Sequence, residues 1–473
     1  MIQIVGPEDP LLEQVFSRHP AGREEALNRV KEILAEVKAG GDAALCACTA
    51  RFDGVTLTAA ELKVSREEMA AAREQVNAHF LTALEMAVKN ITAYHRRQLS
   101  GSWMEPDARG MLLGQLVRPL HRVGVYVPGG RAAYPSSVLM NALPARVAGV
   151  KEIVMVTPPG SDGKINPHVL VAAERAGITE IYRVGGAQAV AALAWGTESI
   201  RPVDKIVGPG NLYVTLAKQQ VYGVVDIDML AGPSEVLVVA DETADPRFVA
   251  ADMLSQAEHD PLSAALLLTP DAGLARAVQE ELRRQLAGLS RREIAAAALR
   301  DHGAIVLTRD MEQALDLANR FAPEHLELLV RDPFRWLGRI RAAGAVFLGA
   351  FAPEPLGDYL AGPSHVLPTG GTARFYSPLG VDTFLKKTSV ISCSREALLE
   401  MAPHITCLAR LEGLDAHARS VEMRLEKPPT GPAAEPPPLN NAGRRSFNNR
   451  NNKNGHLPGL FTRDGLAQGS EEK

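Results

Sequence analysis

Val123-Gly124-Val125-Tyr126-Val127-Pro128-Gly129-Gly130 decides the fold. A short apolar run closes on a proline and two glycines, and a helical pattern follows from Ser136 to Ala148. That is a strand, a glycine turn and a helix. The unit then recurs. Glu152–Val156 reads as a strand, Pro167–Ala176 as a helix and Glu180–Val184 as a strand. Gly185-Gly186-Ala187-Gln188 opens a helix that runs to Trp195, and Lys205-Ile206-Val207 leads into Gly208-Pro209-Gly210-Asn211 and another helix. Glycines stand where strands end, as in a parallel sheet with helices on both faces.

The alternation restarts at Ser234–Ala240 and continues through strands at Ala264–Thr269, Ala304–Leu307, Leu326–Val330 and Ala345–Leu348. Helices are expected near Leu274–Leu289 and over Met311–Arg320. The reading is an α/β protein with two Rossmann-like parallel-sheet domains of similar size, over 111–232 and 233–380. A cleft between two such layers is where ligands bind. Residues 1–110 read as an N-terminal helical region packing on the core, and 381–427 as a C-terminal helical segment. Gly and Pro throughout 354–387 suggest loop. From Pro428 the chain turns to Pro runs and an Asn-rich stretch that cannot bury a core, so 428–473 is expected to be a disordered tail.

The totals narrow the function. A net charge of −4 and 5% aromatic residues give no footprint for nucleic acid. No apolar run reaches the roughly 18–20 residues that a membrane span requires, and the N-terminus has no basic segment ahead of an apolar one. Four cysteines include a single C-x-C, Cys46 and Cys48, without a second pair at zinc spacing. A reduced, cytoplasmic protein fits these features.

Four polar clusters interrupt the apolar pattern. Leu254-Ser255-Gln256-Ala257-Glu258-His259 ends a helix that opens at Asp245-Pro246, and Gln256 and His259 are three apart, on one face. Ala322-Pro323-Glu324-His325 lies where a helix gives way to a strand, so one side chain could activate water while the other shuttles protons. Gly357-Asp358-Tyr359 precedes Gly362-Pro363-Ser364-His365, and Glu412 and His417 flank the start of the last helix. Singly, each has a bland reading: a surface or core histidine, or a cap for Asp358. Taken together, Gln, His, Asp and His would close an oxygen and nitrogen zinc site. No G-x-G-x-x-G fingerprint follows a strand. The three glycine turns instead suit either a phosphate-bearing ligand or simple tight turns.

At these residues the chain closely resembles the histidinol dehydrogenase family, over about residues 20–427. The motifs are Gly124–Gly130, Val184–Ala189, Gly208–Asn211, Ala231–Glu235, Leu254–His259, Ala322–Leu328, Gly357–Tyr359 and Gly362–Thr369. The resemblance implies two successive NAD-dependent oxidations of L-histidinol, through L-histidinal, to L-histidine. It implies one zinc ion per subunit, held by Gln256, His259 and Asp358 with His417 of the partner subunit. Glu324 would activate water and His325 act as acid and base. Substrate would meet Ser234, Gln256, His259, His325 and Asp358, with His365, Glu412 and His417 of the partner subunit. Tyr126, Gln188 and Asn211 fall at NAD-contacting positions. The implied assembly is a homodimer with shared sites, with 381–427 as its dimerisation segment.

Overall fold

The chain opens on a strand, where the sequence suggests only helix. In the computed structural model, which describes residues 2–18, 23–129, 133–178 and 180–426, β1 (Gln3–Val5) pairs in parallel with residues 304–306. The tail expected over 428–473, and Gly130, lie outside the described residues. Three apolar-rich residues are too few to carry a period, and only the distant partner makes them a strand. The helices expected in this region follow: α1 (Pro10–Ser17), α2 (Arg23–Asp53), α3 (Arg66–Glu74) and α4 (Ala78–Arg96). Asp9 caps α1 by accepting from the amide of Leu11 at 2.9 Å. A hairpin of β2 (Trp103–Pro106) and β3 (Met111–Pro119) is antiparallel and joins residues 385–393 in a small third sheet.

The first Rossmann-like layer runs β4 (Arg122–Tyr126), α5 (Pro135–Ala148), β5 (Glu152–Val156), α6 (Pro167–Ala176), β6 (Glu180–Tyr182), α7 (Gly186–Trp195), β7 (Lys205–Val207), α8 (Leu212–Val221) and β8 (Asp226–Ile227). Its strands are all parallel, in the order β6-β5-β4-β7-β8. Every residue of β4 is buried, because helices cover both faces of a parallel sheet. The second layer runs β9 (Glu235–Ala240), α9 (Pro246–Ala257), β10 (Ala264–Thr269), α10 (Ala272–Leu286), α11 (Arg292–Asp301), β11 (Gly303–Leu307), α12 (Met311–Phe321), β12 (His325–Leu329), α13 (Pro333–Leu337), β13 (Ala345–Leu348) and α14 (Glu354–Tyr359). Its order is β1-β11-β10-β9-β12-β13, again parallel. The α/β class with two parallel sheets is therefore as read. The short helix α14 corrects the loop reading of 354–387. Pro355 sits within its first turn, where its missing N–H costs nothing, but Gly357 hides the helical pattern.

The two layers are linked through α5 and the segment that carries Ser364 and His365. Ser137, in the first turn of α5 above the carboxyl end of β4, lies 3.5 Å from His365 Nε2. Ser364 Oγ donates to the carbonyl of Met140 on the same helix at 3.2 Å. His365 in turn faces the residues at the amino ends of β9 and β12, described below. Residues 393–426 form a separate unit of two helices, α15 (Arg395–Leu411) and α16 (Asp415–Leu425), tied internally by an Arg410–Glu422 ion pair.

One turn of the first sheet is held with unusual closeness. Gly208 follows β7 with φ +111°, and a Cβ there would lie 2.2 Å from the carbonyl oxygen of Tyr126. Its N–H donates to Asp228 at 2.7 Å and its carbonyl accepts from Lys218 Nζ at 3.0 Å, while Lys218 and Asp228 form a buried ion pair. Gly208→Ala is therefore expected to cost the backbone strain of about 1–3 kcal/mol plus a clash. Gly223 has a similar φ, +100°, but open space around it. Thermal unfolding is predicted to show a clearly larger Tm loss for Gly208→Ala than for Gly223→Ala; equal losses would contradict the clash.

Candidate active site

Two glutamates start the site. Glu235 is the first residue of β9, and Glu324 immediately precedes β12, its neighbour in the sheet. Each accepts from the other's backbone: Glu235 N donates to Glu324 Oε2 at 2.9 Å, and Glu324 N donates to Glu235 Oε2 at 3.3 Å. Both are buried. Arg18, from the end of α1, lies 3.1 Å from Glu235 Oε1, which also accepts from Gly370 N. Burial pushes both carboxyls up, and Arg18 and the amide of Gly370 pull Glu235 back down. Glu324 has no such cation and stays well above the usual carboxylate range, raised further by Glu235, Asp358 and Glu354. A carboxyl so placed is a stronger base than an exposed one.

His325 opens β12 and is 3% exposed. Its Nδ1 lies 3.0 Å from the carbonyl of Glu235, which fixes the ring with Nδ1 protonated and Nε2 free. Nε2 has no hydrogen-bond partner among the described residues. It stands 3.9 Å from both Glu354 Oε1 and Asp358 Oδ1. Burial drives the imidazole down to about 4, against the opposing pull of Asp358. It is thus neutral near pH 7, with a lone pair directed into the site. Asp358 also faces His365, whose Nδ1 is 3.7 Å from Asp358 Oδ1 and 3.2 Å from its carbonyl. Burial lowers the basicity of His365 as well.

Gln256 lies in the last turn of α9, 1% exposed, with its Oε1 buried and without a partner. The helix ends at Ala257, so His259 lies beyond it. The shared helical face read from the sequence is replaced by a turn in which His259 N donates to the carbonyl of Gln256 at 3.2 Å. His259 is exposed, yet its charge depresses both His325 and His365, so it borders the same space. Ser234 adjoins the Glu235–Glu324 pair. Glu412 caps α15 and His417 lies in the first turn of α16, both within the second unit.

The structure adds a residue that the sequence reading passes over. Glu354, 2% exposed, begins α14 four residues before Asp358. His325, Glu354 and Asp358 each offer a ligand atom, all within 4.8 Å of one another. Burial, with Asp358 beside it, pushes Glu354 up to about 9. Behind it stand Glu327 and Asp252, two more buried acids, Glu327 raised well above the usual range by burial and Asp252 raised to about 6 by the same cause. The i, i+4 spacing of Glu354 and Asp358 was the available signal, masked by the flanking prolines. The donors suit a divalent cation: imidazole nitrogen, carboxylate and amide oxygens, with Gln256 Oε1, His325 Nε2 and Glu354 Oε1 all buried and unpartnered.

The nucleotide candidates lie on the other sheet edge. Tyr126 ends β4, is buried, and accepts from Gly186 N at 3.1 Å, with its phenol pushed up to about 12 by burial. Gln188, in the first turn of α7, is 1% exposed with Nε2 unpartnered. Asn211 is exposed and caps α8, accepting from the amides of Tyr213 and Val214. Pro128, Gly129, Thr157, Pro158, Lys164 and Asn166 line a cavity of about 580 Å³ above the same strands. Its Pro158 also packs against Gly185 at the turn before α7. A buried, unpartnered donor beside glycine turns and an open cavity fits a phosphate-bearing, hydroxyl-rich ligand such as a dinucleotide.

Comparison with known proteins covers nearly all of the described chain. The family described as histidinol dehydrogenase matches residues 16–425. A histidinol dehydrogenase of Moorella thermoacetica is 63% identical over 404 residues, covering 85% of this chain and 95% of the relative. One of Heliobacterium mobile is 59% identical over 399 residues, covering 84% and 93%. Among solved structures, histidinol dehydrogenase from Elizabethkingia anophelis superposes with a TM-score of 0.85 at 39% identity, covering 90% of this chain and 98% of that one.

The buried imidazole ties stability to acid. An unfolded histidine binds its proton near pH 6.5, and His325 does so only near 4. Between these values the unfolded state holds more protons, so stability falls as pH drops from about 6.5 to about 4. In metal-free protein, Tm of His325→Asn is expected to decline less steeply than that of the parent across this window. Parallel declines would show that His325 is not the buried neutral group described.

Proposed function

The chain belongs to the histidinol dehydrogenase family, and from that premise we propose that it oxidises L-histidinol to L-histidine in two NAD-dependent steps, through L-histidinal, with zinc as the metal. The observation that carries this reading is the buried Glu324–His325 pair. A raised carboxyl and a neutral imidazole with a free Nε2 sit side by side, against the Asp358 donor. Under this reading Glu324, His325, Gln256 and Asp358 take the roles that the family resemblance implies.

In this reading the zinc of each subunit is held by Gln256, His259 and Asp358, with His417 of the partner subunit. The alternative set of His325, Glu354 and Asp358 would occupy His325 Nε2, the nitrogen that this reading needs free to move a proton. When bound, zinc supplies a Lewis acid with affinity for imidazole and amine nitrogen, and NAD supplies the hydride acceptor. The protein's own groups do the rest. His325 Nε2 takes the carbinol proton in the first oxidation. Glu324 takes a proton from the water that adds to the aldehyde, and the resulting hydrate gives up its own hydroxyl proton to His325 in the second. Ser234 holds the substrate, with His365 and Glu412 of the partner subunit. Tyr126, Gln188 and Asn211 meet the dinucleotide. Alcohol oxidation is uphill near neutral pH and aldehyde oxidation downhill. A single closed site therefore draws the first step forward and shields a reactive aldehyde. The protein acts as a cytoplasmic homodimer without a nucleic-acid partner. The strand at residues 385–393, paired beside β3, corrects the purely helical reading of 381–427.

Two outcomes test this. Glu324→Gln is expected to spare the oxidation of histidinol to the aldehyde and to slow oxidation of supplied histidinal by about 10²–10⁴-fold. Stopped-flow NADH formation from each substrate separates the two, and equal slowing of both would remove Glu324 as the activator of water. Heterodimers of His259→Ala and His417→Ala subunits are expected to regain roughly the activity of one intact site, where either homodimer has none. Verified heterodimers without activity would contradict shared sites.

A further inference from the structure

We infer that Glu354 is a positioning residue that locks together the two helices carrying the metal ligands, and is not itself a ligand. This rests on the reading that Gln256, His259 and Asp358 hold the metal.

Glu354 joins its own helix to two neighbouring elements of the site, β12 and α9. Its backbone N–H donates to Glu327 Oε1 at 3.0 Å, which fixes the start of α14 to β12, where Glu327 is completely buried. Its side-chain Oε2 lies 3.4 Å from Ser255 Oγ, within hydrogen-bond reach. Ser255 precedes Gln256 on α9 and gives its single hydroxyl proton to the carbonyl of Asp252 at 2.8 Å, so the bond to Glu354 is one that the carboxyl O–H donates. Asp358 follows one helical turn later on α14, so its carboxyl shares a face with that of Glu354. The two ligand-bearing segments, the end of α9 and α14, thus meet on one carboxyl group. Glu354 Oε1 points into the space in front of His325 Nε2, 3.9 Å away.

The chemistry argues against direct ligation. In this reading three ligands from one chain and one from its partner already hold the zinc, and its remaining positions are needed for the imidazole and amine nitrogens of the substrate. Groups that orient metal-binding carboxylates through hydrogen bonds commonly set affinity by a factor of 10–100. Glu354 has the geometry for that task. It shares a face with Asp358, and its other oxygen is tied back to the helix of Gln256.

The test is zinc affinity of the full-length protein, measured by competition with a chromophoric chelator, together with the visible spectrum of the cobalt-substituted protein. Glu354→Ala is expected to weaken zinc binding by about 10–100-fold and to shift the cobalt bands. Glu354→Gln, with the same shape and an N–H in place of the carboxyl O–H, is expected to lose less than about tenfold and keep the parent spectrum. Zinc binding by Glu354→Ala as tight as the parent's overturns the proposal. So does a loss in Glu354→Gln as large as that in Glu354→Ala, which would mark a ligand. Should Glu354→Ala fail to fold, Ser255→Ala cuts the same tie from the other end, and an unchanged affinity there overturns the proposal equally. His259→Ala separates the premise from the inference. If it keeps parent affinity, the ligand assignment itself falls. If it loses zinc while Glu354→Ala does not, only the positioning role falls.

Discussion

Two buried carboxyl groups hold each other's backbone amide, and the site depends on that exchange. Glu235 and Glu324 stand at the starts of adjacent strands, and each side chain satisfies the first N–H of the other strand. Buried backbone donors must find partners, so this exchange fixes the register of β9 against β12 and the place of Glu324 in one arrangement. It also sets the imidazole, because the carbonyl of Glu235 receives His325 Nδ1. Arg18, brought from the N-terminal segment, pairs with Glu235, whereas Glu324 has no such cation beside it and is raised further.

The second consequence is geometric. Open parallel sheets ordinarily bind ligands beyond the carboxyl ends of their strands. The first sheet obeys this, with Tyr126, Gly186 and Gly208 at strand ends. The second does the reverse, presenting the amino ends of β9 and β12 and the last turn of α9. Ser137 beside His365, and His365 beside Asp358, join the two edges.

Much of this was legible in the sequence, for identifiable reasons. Strands such as Glu152–Val156, Lys205–Val207, Ala264–Thr269 and Ala345–Leu348 match their expected bounds, because parallel strands covered by helices are mostly continuous apolar runs between turns. What failed depends on distant partners. β1 exists only through β11, and α14 hides behind two prolines and a glycine. Glu354 was missed for the same reason: its importance lies in Ser255, Glu327 and Asp358 converging on it, and only one of these is near in sequence. Glu324 and His325 were visible because adjacent acid and imidazole at a helix-to-strand junction are rarely needed for folding alone.

The account centres on where the ion sits. In the structure Asp358 groups with His325 and Glu354, whose ligand atoms lie within 4.8 Å of one another, and in the proposed site it joins Gln256 and His259. Anomalous diffraction at the zinc edge, from crystals of the zinc-loaded protein, distinguishes them directly. The account predicts a single peak per subunit at ligand distance, about 2.0–2.2 Å, from Gln256 Oε1, the His259 ring and Asp358, with His325 Nε2 free. A peak bonded to His325 Nε2 and Glu354 would contradict it, because the nitrogen assigned to move the proton would then be bound to the metal.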